Sequence, residues 1–292
     1  MKSSRAVLAL ILIGLTALLA ACGSSDTSST SAADTTAATS AAADTCAVDQ
    51  LALVTPGQLT VATDKPAYPP YFVDDDPANG KGFESAVAYA IADQLGLTAD
   101  QVKWVVVPFD SSYAPGDKSF DFDVNQISIT AARQKVVDFS SPYYTAPQAV
   151  IVRSDSPLAK DPSLEELKTA SIGVQIGTTS LDAVNSVIAP TDQVKVFNNS
   201  NDVVAAFKQK QVDAIVTDLP TALYLTAAVL DNAKVLGQFA APGGDEWGAL
   251  LQKGSKLTPC IDKAIASLTA DGQLDNLRMT WMAEQAGAPE LD

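Results

Sequence analysis

Arg133 is one of only four arginines in the chain, the others being Arg5, Arg153 and Arg278. It closes the stretch NQISITAAR, which begins at Asn125. Asn125, Gln126 and Ser128 bring amides, a hydroxyl and backbone donors to the end of an apolar run. Thr130 precedes the arginine by three residues, as the N-cap of a short helix would. A guanidinium beside such donors suits two-point capture of a carboxylate. The plainer alternative is a surface arginine paired with Asp138. A second stretch, VDAIVTDLPT, has the same form as FDFDVNQISIT, a buried strand that ends in polar residues and runs into a helix start. Asp218 ends that strand as a candidate N-cap before Leu219 and Pro220. Ligands of open α/β sheets sit beyond the carboxyl ends of strands, so two such ends facing each other frame a cleft.

The elements that must position these residues alternate along the chain. QLTVAT (58–63) reads as a strand, and an aromatic and proline loop follows it. In FESAVAYAIADQLG, Phe83, Val87, Ile91 and Leu95 recur every fourth residue, and Gly96 is placed to end the helix. VKWVVVPF (102–109) and FDFDVNQ (120–126) are further strands. QAVIVRSD runs outward into a second series, beginning with SLEELK, where Ser163 and Glu166 have capping-box spacing. SIGVQIG, QVKVFNN, VDAIVTD and AKVLGQFA are its strands, with helices from about Thr179, Asn201 and Pro220. EWGALLQKG (246–254) returns as a strand, and two helices broken at Asp271 and Gly272 follow. The alternation argues for parallel sheets covered by helices.

Composition limits the chemistry. At 292 residues, two lobes are expected. Residues 1–21 have a basic start, an apolar run and a small-residue end, the layout of a signal peptide. The run is short for a membrane span. LAAC, ending at Cys22, resembles a lipobox, so acylation of Cys22 is expected, the alternative being an ordinary secretory signal. Residues 22–45 hold no large apolar side chain and read as a flexible, lipid-anchored tether. The remaining cysteines, Cys46 and Cys260, are expected to pair in an oxidising compartment, two free thiols being the alternative. Loss of Lys2 and Arg5 with the leader leaves 17 cationic side chains against 34 anionic ones, which argues against a nucleic-acid partner. The chain has no histidine, so a zinc or haem centre is not expected and the commonest general base is missing. No cofactor is expected.

GFESAVAYAIADQLG, VDFSSPYY, IGVQIGTTS, VDAIVTDLPTALYL and LTADGQLDNLRMTWM resemble, in that order and spacing, the bacterial extracellular solute-binding proteins of family 3. The resemblance spans about Leu59 to Met282. It implies a periplasmic-binding-protein-like type II fold, with two α/β lobes, a central cleft and two crossover strands. Lobe one is expected over 46–148 plus 242–292, and lobe two over 149–241. It implies an extracytoplasmic receptor of an ABC importer that closes on a polar amino acid, docks on a membrane permease and is a monomer.

By the same resemblance Arg133 clamps the ligand α-carboxylate, with Ser128 beside it. Gly177, Thr178 and Thr179 offer backbone N–H groups at a helix start to that carboxylate. Asp218 accepts the α-ammonium. Tyr68 and Phe109 wall the ligand side chain, core packing being the alternative for Phe109. Asp64 matches a position near the distal end of a cationic ligand in some relatives. Asn125 and Gln126 stand where many relatives have small hydroxyl residues or glycine. The usual helix after Phe109 is replaced by DSSYAPGDKS, in which Pro115 and Gly116 disfavour regular helix. A dehydratase acting on amino-acid-like carboxylates, on the same fold, and a sensor for a membrane signalling partner are the rival readings.

Overall fold

The four apolar residues spaced along FESAVAYAIADQLG all lie in one core, each no more than 4% exposed. The structure is a computed structural model that describes residues 45–282 and 288–292. The expected leader, Cys22 and the tether up to residue 44 lie outside the described residues. Along them the order is β1 (Leu59–Thr63), α1 (Phe83–Gln94), β2 (Val102–Val106), α2 (Phe109–Ser112), β3 (Phe122–Asp123), β4 (Val137–Thr145), β5 (Gln148–Arg153), α3 (Leu164–Leu167), β6 (Ile172–Gln175), α4 (Thr179–Ala183), β7 (Lys195–Phe197), α5 (Ser200–Lys208), β8 (Ala214–Asp218), α6 (Leu219–Tyr224), β9 (Ala233–Phe239), β10 (Glu246–Gln252), α7 (Thr258–Ala270) and α8 (Gln273–Met282).

The strands form two five-stranded sheets, ordered β2-β1-β3-β10-β4 and β7-β6-β8-β5-β9. Each sheet defines one lobe of an α/β bilobal fold. In the first, β1 lies parallel to β2 and β3, but β10 is antiparallel to β3 and β4. In the second, β6 lies parallel to β7 and β8, while β5 is antiparallel to β8 and β9. The sheets are therefore mixed, not purely parallel as the alternation implied. The chain crosses into the second lobe between β4 and β5, and returns between β9 and β10. The strands that follow these crossings, β5 and β10, run against their parallel neighbours, an arrangement that periodicity along one segment does not report.

Both faces of each sheet are covered. Leu59 and Val61 of β1 pack with α1 and α7, whereas Ala62 faces Phe120, Ile127 and Leu250. Val150 and Val152 of β5 pack with Ile172 and Val174, and Ala149 and Ile151 face Val203, Phe207 and Ile215. Continuous burial along a strand is the mark of a sheet covered on both sides. Burying one such side chain contributes about 1.5–3 kcal/mol.

The C-terminal residues depart from the expected division. Leu291 packs in the second lobe's core, Gln238 N donates to the Pro289 carbonyl at 2.8 Å, and Leu291 N donates to the Gln238 carbonyl at 2.8 Å. Residues 288–292 therefore belong to lobe two, although 242–292 was expected wholly in lobe one. The apolar Leu291 and free pairing positions along β9 outweigh chain continuity with α8. Cys46 and Cys260 are joined by a disulfide, with Cα atoms 5.3 Å apart.

Candidate ligand-binding site

Between the lobes lies a cavity of about 90 Å³. One water needs roughly 10–15 Å³ by the same measure, so a small molecule has room here. Arg133, Ser128, Asn125, Gln126, Asp64, Tyr68 and Phe109 line it from the first lobe, and Thr178, Thr179 and Asp218 line it from the second. These residues, expected at the ligand from the sequence, are thus brought to one place, whereas Gly177, expected beside Thr178, is not among the lining residues and turns its carbonyl to Arg133.

The segment bearing Arg133 is set by β3 and β10. After β3, Val124 N donates to the Ala62 carbonyl at 3.1 Å. Gln126 then takes a left-handed backbone, φ 50°, that is uncommon for a non-glycine residue. Glu84 holds it there: Oε1 accepts Gln126 N at 2.7 Å, and Oε2 accepts the Gln126 side-chain amide. The chain next runs beside β10, with Ile129 N donating to the Glu246 carbonyl at 2.8 Å. Thr130 Oγ1 accepts Arg133 N at 3.2 Å, but the single turn Arg133–Lys135 has Ala132, not Thr130, at its N-cap, so the hydroxyl braces the turn from ahead of the cap position.

Arg133 is 8% exposed and turned inward. Its Nη1 donates to the Ser128 carbonyl at 2.6 Å and its Nη2 to the Gly177 carbonyl of the second lobe at 2.9 Å. The guanidinium carbon lies 4.7 Å from the Tyr113 ring centre and 5.5 Å from that of Phe109. The alternative partner, Asp138, is instead bound to Lys253 Nζ at 2.8 Å. Burial lowers the Arg133 pKa from its ordinary value, and nearby Tyr113, Asp182 and Asp218 oppose that shift. Five N–H groups on one guanidinium leave donors for a guest.

Across the cleft, Thr178 Oγ1 accepts Leu181 N at 3.2 Å and so caps α4. Gly177 has φ +73°, and a Cβ there would lie 2.3 Å from Tyr113 Oη, so this close approach of the lobes needs glycine. Asp218 occupies the N-cap position of α6, yet its carboxylate makes no capping bond. Its Oδ1 accepts Gln148 Nε2 at 2.7 Å. The residue keeps partial access to the cavity, but its carboxyl is sunk deep enough that desolvation pushes its pKa up to about 7. Asp245 adds to the rise, while Gln148 and Arg133 lower it.

Several placements differ from simple ligand contact. Gln126 spends its amide on Glu84 rather than on the cavity. Asp64 Oδ2 accepts Phe109 N at 3.2 Å and so pins the loop after β1 to α2. Phe109 carries the Arg133 guanidinium over its ring as well as lining the cavity. The Tyr68 hydroxyl donates to Asn201 Oδ1, and burial pushes its pKa up to about 12. Asn125 Nδ2 and Thr63 Oγ1 are buried at the cavity without a hydrogen-bond partner.

Other residues were missed. Tyr71 Oη and Thr221 Oγ1 join the lobes at 2.9 Å, beside the predicted pair Ser128 and Thr179, whose hydroxyl oxygens lie 3.3 Å apart. Glu84, fully buried, also accepts the Tyr143 hydroxyl at 2.6 Å, and burial pushes its pKa up to about 7. The signal for Glu84 was a carboxylate placed among apolar residues in FESAV. Gln148 and Asp245, flanking the crossings, carried no such signal.

A profile of the bacterial extracellular solute-binding proteins, family 3, matches residues 59–284. The chain is 29% identical over 220 residues to the L-cystine-binding protein TcyJ of Escherichia coli K12, covering 73% of this chain and 79% of that protein. It is 30% identical over 287 residues to the ABC transporter glutamine-binding protein GlnH of Bacillus subtilis, covering 95% and 96%. An ancestral arginine-binding protein solved with arginine superposes with a TM-score of 0.65 at 33% identity, covering 77% of this chain and 98% of that one.

Proposed function

The chain belongs to the bacterial extracellular solute-binding proteins of family 3, and from that premise we propose that it receives a polar amino acid, closes its lobes on it and delivers it to an ABC importer. One observation carries the reading: a buried guanidinium from one lobe and a half-buried carboxylate from the other face a single cavity. An α-amino acid presents the complementary pair of charges. Arg133 takes its carboxylate with Ser128 and the first N–H groups of α4, which have no acceptor within their own helix. Asp218 takes its ammonium. Tyr68, Phe109 and Asp64 enclose the side chain. Because Arg133 and Asp218 lie on different lobes, only the closed arrangement makes both contacts, and that difference shifts the open and closed populations. Micromolar binding needs about 8 kcal/mol net.

The ligand leaves as it entered. Among known relatives the similar proteins named above are binders, and with no histidine in the chain proton transfer would fall to carboxylates already engaged with Gln148 and Gln126. Among the described residues no helix is long and apolar enough to cross a membrane. Membrane attachment is assigned to an acylated Cys22 and its tether, with the receptor working as a monomer outside the cytoplasm; a Cys22→Ala chain that stays in the membrane fraction would refute the anchor.

The deciding experiment is a thermal-shift screen with the proteinogenic amino acids and cystine, since a ligand of the native state raises the melting temperature. At least one amino acid should raise it, and be recovered chemically unchanged. No shift with any of them would remove the reading.

A further inference from the structure

Asp218 does not act on the cavity alone. Gln148 is fully buried and is the first residue of β5. Its Nε2 donates to Asp218 Oδ1 at 2.7 Å and to Asp245 Oδ2 at 2.8 Å. Asp245 is 2% exposed, directly precedes β10, and its carbonyl accepts Ala146 N at 2.9 Å. One amide therefore ties the pocket carboxylate to a second carboxylate, and it does so where the chain crosses between the lobes in both directions. The two hydrogens of that amide are spent. Gln148 Oε1 and Asp245 Oδ1 have no hydrogen-bond partner.

Two carboxylates sharing the donors of one neutral group leave negative charge uncompensated in a dry site. The other groups that face Asp218 compensate it only in part. Glu84 from α1 adds to the negative field, and Arg133 is the cation opposing it. Tyr71, before α1, and Tyr144, on β4, also feel the Asp218 charge. Arg133 is already bound to the Ser128 and Gly177 carbonyls.

We propose that Gln148 and Asp245 are positioning residues for ammonium recognition: from the crossing segments they aim Asp218 into the cavity, and the charge of Asp245 makes a cation at Asp218 the condition for a stable closed state. The proposal rests on the reading of Asp218 as the ammonium acceptor. An ammonium that settles on Asp218 offsets one of the two negative charges and, through Gln148, lessens the repulsion where the lobes are joined. A proton competes for the same place. Binding needs the ionised form of Asp218, whose carboxyl is raised in the free protein. Affinity is complete above that value and falls by about tenfold per pH unit below it, until the complex itself takes up the proton.

The test is the dissociation constant between pH 5 and pH 8.5, by calorimetry, for the proteinogenic L-amino acid that raises the melting temperature most. Asp245→Asn keeps an oxygen for Gln148 but removes the charge, so the acidic fall in affinity should move to lower pH by about one unit. Gln148→Met removes the shared donor while filling its space, so the fall should move to higher pH. A merely structural pair would weaken binding at every pH alike and leave the profile in place. Unmoved profiles in both variants, or shifts in the same direction, overturn the proposal while leaving the amino-acid receptor standing. Absence of binding to any amino acid by the unaltered protein would overturn both.

Discussion

Arg133 of the first lobe donates to the carbonyl of Gly177 in the second at 2.9 Å. The residue proposed to hold a guest's carboxylate thereby also joins the lobes, and the same guanidinium rests against Tyr113 and Phe109. Its planar fork does both tasks because its donors point along fixed, separate directions.

Arg133→Ala should weaken amino-acid binding severely while leaving a folded protein. Cutting one partner from a buried, hydrogen-bonded charge pair costs about 2–5 kcal/mol, roughly thirtyfold to several thousandfold in affinity. Arg133→Lys keeps the charge without the fork and should fall between. Calorimetry giving near-native affinity for the alanine variant would remove the clamp from the site.

Tyr71→Phe deletes the hydroxyl bonded to Thr221 across the cleft. Such a bond contributes about 0.5–1.5 kcal/mol, so affinity should weaken by roughly twofold to tenfold. Small-angle scattering should show a larger open fraction at subsaturating ligand. Unchanged affinity and shape would mean that this contact plays no part in closure.

Glu84 makes stability depend on pH in a direction fixed by its shift. Its folded-state value, about 7, lies above the ordinary 4.5, with burial as the cause. The folded form therefore binds the proton more tightly, and its stabilising effect is complete below the unfolded value and is lost as pH rises through about 7. Asp218, also raised to about 7, acts in the same sense. Melting temperature of the ligand-free protein should rise on going from pH 8 to pH 5.5. Glu84→Gln should flatten that dependence, and an equally steep curve for the variant would contradict it.

Cys46 and Cys260 close a loop with a separation of 214 residues. On the chain-entropy account, opening it destabilises the protein by about 5 kcal/mol. Urea midpoints measured with and without reductant should separate accordingly. Coincident midpoints, with reduction verified by thiol titration, would show that this bond does not stabilise the fold.

Local patterns in the sequence carried much of the result. Fourfold spacing of Phe83, Val87, Ile91 and Leu95 specified α1, because one helical face must be buried. Polar residues ending apolar runs marked the strand ends that face the cavity. The breaks at Pro115, Gly116 and Gly272 were equally legible, being matters of backbone torsion.

Other features arise only when distant segments meet. Gln126 lay in the right strand end, but its amide turned to Glu84, 42 positions earlier. The tail 288–292 joined lobe two because Leu291 found an apolar place beside β9. What the chain alone determined is which residues are buried, which end a strand, and which carry opposite charge toward a cleft. Tertiary structure alone decided that Gln148 and Asp245, 97 positions apart, share a hydrogen bond. Hydrophobic periodicity specifies a face, whereas a buried polar pairing depends on which strands insert beside each other and in which direction.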